Sequence, residues 1–472
     1  MLLRRFVQRV HFVGIGGAGM GAIAELLHEQ GLQVSGSDAA DGAMLRRLRS
    51  LGLRVHVGHD AAYLGEGDQA VQALVVSSAI AADNPELLAA RARGLPVLPR
   101  AAMLAELMRG RLGVAVAGTH GKTTTTSLVA SVLMAGGAEP GYVIGGELLA
   151  TGRNAGWGRG EVLVVEADES DASFLHLAPL VAVVTNIDED HMATYGHSRA
   201  RLLQAFADFV HRLPAYGPAV LCSDDPGVRE LLPQLQRPRV CYGLGPEADL
   251  RAVDMQAGPG AQMRFAVRQA GHADLPVKLA LAGEHNVRNA LAAVAVARLL
   301  GQPEAAIQRA LAGFGGAGRR LQAHGLLPCA GGGHYTLLDD YGHHPAELAA
   351  VLAAARGAWP GRRLVAVFQP HRYSRTRDCL DGFAAVLRCF DAVLLTEVYA
   401  AGEAPLPGAD GAALAARVPG ARFVPHLQDL AAAVRETARD GDVVLTLGAG
   451  SIARLVAELK PAELQAPMEE SA

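Results

Sequence analysis

At 472 residues and 49.1 kDa the chain is longer than one hydrophobic core organises, so two to four domains are expected. An apolar share of 50% supports well-packed globular domains, while a net charge of -4 and a pI near 6.5 provide no global basic surface and argue against a nucleic-acid partner. The five cysteines, Cys222, Cys241, Cys329, Cys379 and Cys389, are scattered without CxxC spacing, and no apolar run reaches about 18 residues, so a cytoplasmic protein with neither a zinc site nor membrane insertion is expected.

In chain order, "VHFVGIG", "LQVSGSD", "LRVHVG" and "ALVVSSA" read as strands alternating with the helical "GMGAIAELLHEQ", "GAMLRRLRSLG" and "PELLAARARG". This pattern predicts a first α/β domain over 1–107. A second begins at "LGVAVAGT" and continues through the strands "EVLVVEAD", "LVAVVTNI" and "AVLCSDD". Residues 249–282 alternate around Gly/Pro turns and predict antiparallel hairpins, after which "EHNVRNALAAVAVARLLG" and "PEAAIQRALAGF" close a domain over 108–315. Past the glycine-rich linker "GFGGAGRR", the strands "YTLLDDYG", "RLVAVFQP", "DAVLLTEV", "RFVPH" and "DVVLTLG" predict a third α/β domain over 316–472, with the tail "APMEESA" as a solvated end.

Two glycine loops stand out. Gly14, Gly16 and Gly19 form GxGxxG between a strand and a helix, with Asp38 ending the next strand. Such a loop lets backbone amides approach a pyrophosphate at a helix start, and a purely structural glycine turn has the same spelling. The second loop, Gly118-Thr119-His120-Gly121-Lys122-Thr123-Thr124, lacks one Walker glycine, since Val116 stands there. It keeps the turn, the ammonium and the hydroxyl needed to wrap ATP phosphates and ligate magnesium. Lys122 is one of only three lysines, with Lys278 and Lys460, among 43 basic residues. A lysine in that turn is therefore an informative choice, because a compact ammonium fits beside phosphate oxygens where a guanidinium is too broad.

Downstream, "VVEADESDASF" and "VVTNIDEDHMATYG" follow strands, where an open sheet collects ligands, so Glu166 and His191 could share a magnesium site with Thr123. Most of Glu169, Asp171, Asp188 and Asp190 read as solvated loop acids. His285, Asn286 and Asn289 lie at a helix start, and the trio suits recognition of a purine or its neighbours. In the third domain Arg372, Arg375 and Arg377 place three guanidiniums within six residues, which could cradle carboxylate or phosphate or could be a solvated basic loop.

In order, "VGIGGAGM", "GTHGKTTTT", "EADESDASFL", "NIDEDHM", "GEHNVRNALAA", "GRR", "DDYGHHP" and "FQPHRYSRT" give the chain a resemblance to the Mur ligases, and within them to the alanine-adding branch, from residue 10 to about 455. The resemblance implies a Rossmann-like domain for a UDP-sugar, a central P-loop ATPase domain with a mostly parallel sheet, and a Rossmann-like domain for the incoming amino acid. Its substrates would be UDP-N-acetylmuramate, L-alanine and ATP, with Mg²⁺ as cofactor and a monomer or weak homodimer as the assembly. It implies that Gly14, Gly16, Gly17, Ala18, Gly19, Met20, Asp38, Ser77 and Ser170 lie around the UDP-sugar, and Gly118 to Thr124 around ATP. His285, Asn286, Asn289, Arg319 and Arg320 would also approach the nucleotide, and Thr123, Glu166 and His191 the metal. Tyr341, His343, His371, Arg372 and Arg375 would lie near the amino acid and the transferred phosphate, with His343 as the candidate base. Several family members use a carbamylated lysine after "DHM", but no lysine occurs between Lys122 and Lys278, so metal binding here would not depend on one. Rivals are a relative that joins a tripeptide to the same UDP-sugar, a nicotinamide dehydrogenase and a non-catalytic nucleotide-sugar sensor.

Overall fold

The computed structural model describes residues 3–258 and 260–460; the expected solvated tail "APMEESA" lies outside them. Three sheets organise the chain, each built from short β-branched runs covered by helices, as the alternation predicts.

The first sheet contains β1 (Arg9–Val13), β2 (Gln33–Asp38), β3 (Arg54–Val57), β4 (Ala73–Val76) and β5 (Val97–Pro99) in the order β3-β2-β1-β4-β5, all parallel. The order turns from one side to the other at β1, and in such sheets the crevice beyond that strand's carboxyl end takes the ligand. Gly14 begins there. Only β5 escaped the sequence reading, because three residues ending in a proline are too short to show a period.

The second sheet comprises β6 (Leu112–Ala117), β7 (Gly141–Leu148), β8 (Arg153–Gly156), β9 (Val162–Glu166), β10 (Val181–Val184), β11 (Ala219–Cys222), β12 (Arg239–Gly243), β13 (Leu250–Gly258), β14 (Gln262–Gln269) and β15 (Leu275–Leu279). Its order is β15-β14-β13-β12-β11-β10-β6-β9-β7-β8. β6 lies between β10 and β9, parallel to both, and Val114, Ala115, Val116 and Ala117 are buried on both faces as a central parallel strand requires. β13, β14 and β15 are successive neighbours joined across 259–261 and 270–274, and connections so short allow only antiparallel pairing, the hairpins expected for 249–282.

The third sheet holds β16 (Gln322–Pro328), β17 (His334–Asp340), β18 (Leu364–Phe368), β19 (Ala392–Leu395), β20 (Arg422–Phe423) and β21 (Val443–Leu447) in the order β16-β17-β21-β18-β19-β20. All pairs are parallel except β16 with β17. β18 shows how the strand period builds the layers: Leu364, Ala366 and Phe368 enter the core with Phe383 and Leu387, while Val365 and Val367 enter the opposite one with Tyr335 and Leu430.

The described residues form two compact units: the first two sheets with most of their helices make one, except for Gln256–Arg264 and Ala280–His285, which fall with the third sheet and its helices in the other. Within the first unit a single apolar cluster joins Phe12, Ile23 and Leu107 of the first domain to Phe174, Phe206 and Phe209 of the second. No described helix is long and apolar enough to cross a membrane.

Candidate active site

β6 ends at Ala117, and the chain turns sharply through Gly118–Gly121 into helix Lys122–Ala135. Gly118 has φ +134, and a methyl group there would strike Thr185 Oγ1 at 2.1 Å; Gly121 has φ +80, and a methyl group there would meet Asn289 Oδ1 at 2.7 Å. Both positions therefore require glycine. The turn is stitched to the end of β10: His120 N donates to Asn186 Oδ1 at 2.8 Å, Thr185 Oγ1 and Asn186 Nδ2 donate to His120 O, and Asp188 N donates to Thr119 Oγ1 at 2.9 Å. His120 Nε2 lies 3.2 Å from Asp188 Oδ2. Asp188 thus shapes the loop through its amide and its contact with His120, while its carboxylate stays largely exposed, in keeping with its reading as a loop acid.

Lys122 Nζ donates to Gly118 O at 2.7 Å and Thr119 O at 3.1 Å and pairs with Glu169 Oε2 at 2.7 Å. Burial opposes its charge, but Glu169, Asp168 and Glu166 outweigh burial and hold the ammonium above the ordinary lysine range. Glu169 is 2% exposed, and burial pushes its carboxyl up to about 7 against the pull of Lys122. The sequence reading treated Glu169 as a solvated acid, and the structure overturns that, because the turn after β9 directs it inward. Asp171, by contrast, is exposed and accepts from Ser173 N.

Thr123 Oγ1 donates to Glu166 Oε1 at 3.1 Å, and Gly145 N holds Glu166 Oε2 at 2.7 Å. The fold thus unites two of the three expected metal ligands. His191 takes a left-handed backbone, φ 55, and its Nε2 lies 3.4 Å from Asp190 Oδ2. Thr124 is buried in the first turn of the helix. Asn286 and Asn289 are buried too: Asn289 Nδ2 donates to Asn286 Oδ1 and Thr125 Oγ1 donates to Asn289 Oδ1, both at 3.1 Å. They brace the loop through Gly121. His285 is the second residue of helix Glu284–Leu299.

In the first domain Gly16 N donates to Asp38 Oδ2 at 2.9 Å, so Asp38 shapes the glycine loop directly. Gly14 faces Ser77 and Ile80. Gly17 caps helix Ala18–Glu29, which contains Gly19 and the buried Met20. Ser170 follows the acids of the second domain, its N–H donating to Asp168 Oδ1 and its carbonyl accepting from Thr194 Oγ1.

The third domain gathers its expected residues at the carboxyl ends of β17 and β18. Arg319 pairs with Asp339 at 2.9 Å and donates to Gly448 O, while Arg319 and Arg320 both lie over the Tyr341 ring, 5.3 and 5.1 Å from its centroid. The rings of His343 and His371 are 5.8 Å apart, and His371 stacks on Tyr399 at 5.4 Å. His343 Nδ1 lies 3.2 Å from Tyr341 O; a carbonyl only accepts, so Nδ1 carries a proton, and Nε2 is the ring atom at which the residue would exchange one. Burial, then the charges of His343, Arg375 and Arg372, lower His371 to about 4. Arg375 is buried 3.4 Å from His371 Nδ1, Arg372 is exposed with φ 69, and Arg377 is exposed and paired with Asp378. The three guanidiniums therefore do not form one cradle, because the helix Tyr373–Asp378 turns Arg377 to solvent.

Three family models match in succession: the Mur ligase family catalytic domain over 9–112, the Mur ligase middle domain over 116–297 and the Mur ligase glutamate ligase domain over 319–450. The chain belongs to the Mur ligase family. It is similar to the UDP-N-acetylmuramate–L-alanine ligases of Methylibium petroleiphilum, 58% identical over 95% of this chain and 97% of the relative, and of an Acidovorax species, 59% identical over 97% and 96%. Among solved structures, the UDP-N-acetylmuramate-alanine ligase of Thermotoga maritima superposes with a TM-score of 0.80 at 29% identity, covering 96% of this chain and 98% of that one. A murein peptide ligase from Psychrobacter arcticus shares the Mur ligase fold, with a TM-score of 0.71 at 24% identity over 98% and 100%.

Proposed function

We infer that the protein is an ATP-dependent ligase joining L-alanine to the lactyl carboxylate of UDP-N-acetylmuramate in peptidoglycan precursor synthesis. The observation that carries this reading is the lysine loop, with Lys122 held charged beside Thr123 and Glu166, in a chain whose alanine-adding relatives align end to end.

A free carboxylate resists amines because its charge repels them and oxide is a poor leaving group. The lactyl carboxylate therefore attacks the γ-phosphate of ATP, forming an acyl phosphate and releasing ADP. The neutral amine of alanine then attacks the acyl carbon and expels phosphate. Lys122 neutralises charge in the first step, and the amides at the start of helix Lys122–Ala135 orient the phosphates. The hydroxyl and carboxylate oxygens of Thr123 and Glu166, with the imidazole of His191, are a donor set that fits Mg²⁺, which would supply further charge neutralisation when bound. In the third domain Tyr341, Arg372 and Arg375 hold the amino acid and phosphate, and His343 Nε2 accepts the ammonium proton.

Phosphate release measured with ATP, UDP-N-acetylmuramate and either L-alanine or the murein tripeptide tests the reading. Alanine supports turnover and the tripeptide does not; the reverse result would make the protein a recycling ligase. Lys122→Ala lowers ADP formation roughly 100- to 1,000-fold, the cost of a lost preorganised donor. Near-normal turnover in that variant would sink the ATP-site assignment.

A further inference from the structure

Arg100 opens helix Arg100–Met108, the last helix before the second sheet begins, and its guanidinium lies between Gly19 of the first loop and Asp168 of the second domain. On one side Nη2 donates to Asp168 Oδ2 at 3.2 Å, and Asp168 is one of the acids that sustain the Lys122 charge. On the other side, a methyl group placed on Gly19 would lie 3.1 Å from Arg100 Nη1, 3.4 Å from Cδ and 3.7 Å from Cζ. All three nearest neighbours belong to Arg100, so a side chain at the third glycine of the first loop would press on this guanidinium and shift it by a few tenths of an ångström.

The electrostatics of that loop give the contact a purpose. Residues 14–20 contain no cation, and Asp38, bonded to Gly16 N, adds a negative charge. A diphosphate held by amides alone would face that carboxylate uncompensated. Arg100 places a cation against the loop. Its side chain is 25% exposed, and a guanidinium has five donors in a planar fork, of which the Asp168 contact takes one.

We propose that Arg100 binds the diphosphate of UDP-N-acetylmuramate while tied through Asp168 to the ATP-binding domain, so that one side chain sets the spacing between the two substrates. This rests on the ligase reading above. A guanidinium suits both duties because it can serve two anions from opposite edges, whereas an ammonium is a point charge.

The test is calorimetric titration of the full-length protein with UDP-N-acetylmuramate, and separately with a nonhydrolysable ATP analogue. Arg100→Gln weakens UDP-sugar binding roughly 10- to 100-fold, the range for a lost charge-assisted hydrogen bond, while analogue binding changes less than about threefold. Arg100→Lys falls between wild type and Arg100→Gln. Gly19→Ala weakens UDP-sugar binding in the wild type, where the methyl displaces the guanidinium, and adds little in an Arg100→Ala background. Unaltered UDP-sugar affinity in Arg100→Gln, equal loss for both ligands, or the same Gly19→Ala penalty in both backgrounds would overturn the proposal alone. A wild-type protein that fails to bind UDP-N-acetylmuramate would remove the ligase reading and this proposal together.

Discussion

His371 is held neutral by its surroundings. Burial and the nearby His343, Arg375 and Arg372 lower it to about 4, so between pH 4 and its unfolded value near 6.5 the native protein binds fewer protons there than the unfolded chain. Stability at this site therefore rises with pH across that window, is fully present above about 6.5, and is lost as pH falls toward 4. The limit is about 3 kcal/mol, reduced by solvent screening at a partly exposed ring. Denaturant unfolding of wild type and His371→Asn from pH 4.5 to 7.5 measures it: the wild type loses stability relative to the variant as pH falls, and parallel curves would refute the depressed pKa. His343 has a different duty, since its protonated Nδ1 faces a carbonyl and Nε2 is the ring atom that would take up a proton. His343→Asn lowers turnover at saturating alanine, and the gap to wild type narrows toward acid pH as protonation disables the wild-type imidazole as a base; unchanged turnover from pH 6 to 9 would exclude it as the base.

At the scale of elements, the β7–β8 hairpin joins two functional regions of the first unit. Gly145 on β7 holds Glu166 through its amide, while on β8 Asn154 Nδ2 donates to Ala18 O and Arg153 pairs with Glu29 and, at 2.5 Å, with Glu25. Glu25 is 3% exposed and also pairs with Arg47 at 2.8 Å. Because Arg47 remains, Arg153→Met leaves Glu25 weakened but not orphaned, and the expected loss is about 1–3 kcal/mol, below that for a fully stranded buried charge. Urea unfolding checks this; a loss below about 0.5 kcal/mol would place the contact among ordinary surface pairs. The sequence did not disclose this hairpin, since "GYVIGGEL" and "RNAG" interrupt their alternation with glycine and owe their strand state to the neighbouring β9. β16 was hidden for a similar reason, its register shifting at Gly325, φ +93. The buried parallel strands β1, β6, β9, β18 and β21 were legible because they are uninterrupted apolar runs. Lys122, Thr123 and Glu166 were legible as chemistry attached to such strands. Glu169 and Arg100 were not, because nothing local distinguishes an inward acid from a solvated one, or predicts that position 100 meets position 168.

For the whole molecule, the apolar clusters decide how the protein unfolds. One cluster runs from Phe12 through Leu107 to Phe206 and Phe209, so the first two domains share a core, whereas Phe368, Phe383 and Tyr335 belong to cores drawn only from the third domain. Units with separate cores can lose structure in separate steps, and a single two-state transition is then the wrong description. Calorimetry should resolve two transitions. Phe206→Ala and Phe383→Ala each remove a fully buried ring, at a cost of about 3–5 kcal/mol, and each lowers only the transition of its own unit. The ligand assigns the transitions independently of mutation: UDP-N-acetylmuramate at 100 times its Kd adds about 2.7 kcal/mol to the unit that binds it, so the transition lowered by Phe206→Ala is the one it raises. If both substitutions and the ligand moved one common transition, the two units would fold as a single cooperative body, and the division of the core between them would have no thermodynamic meaning.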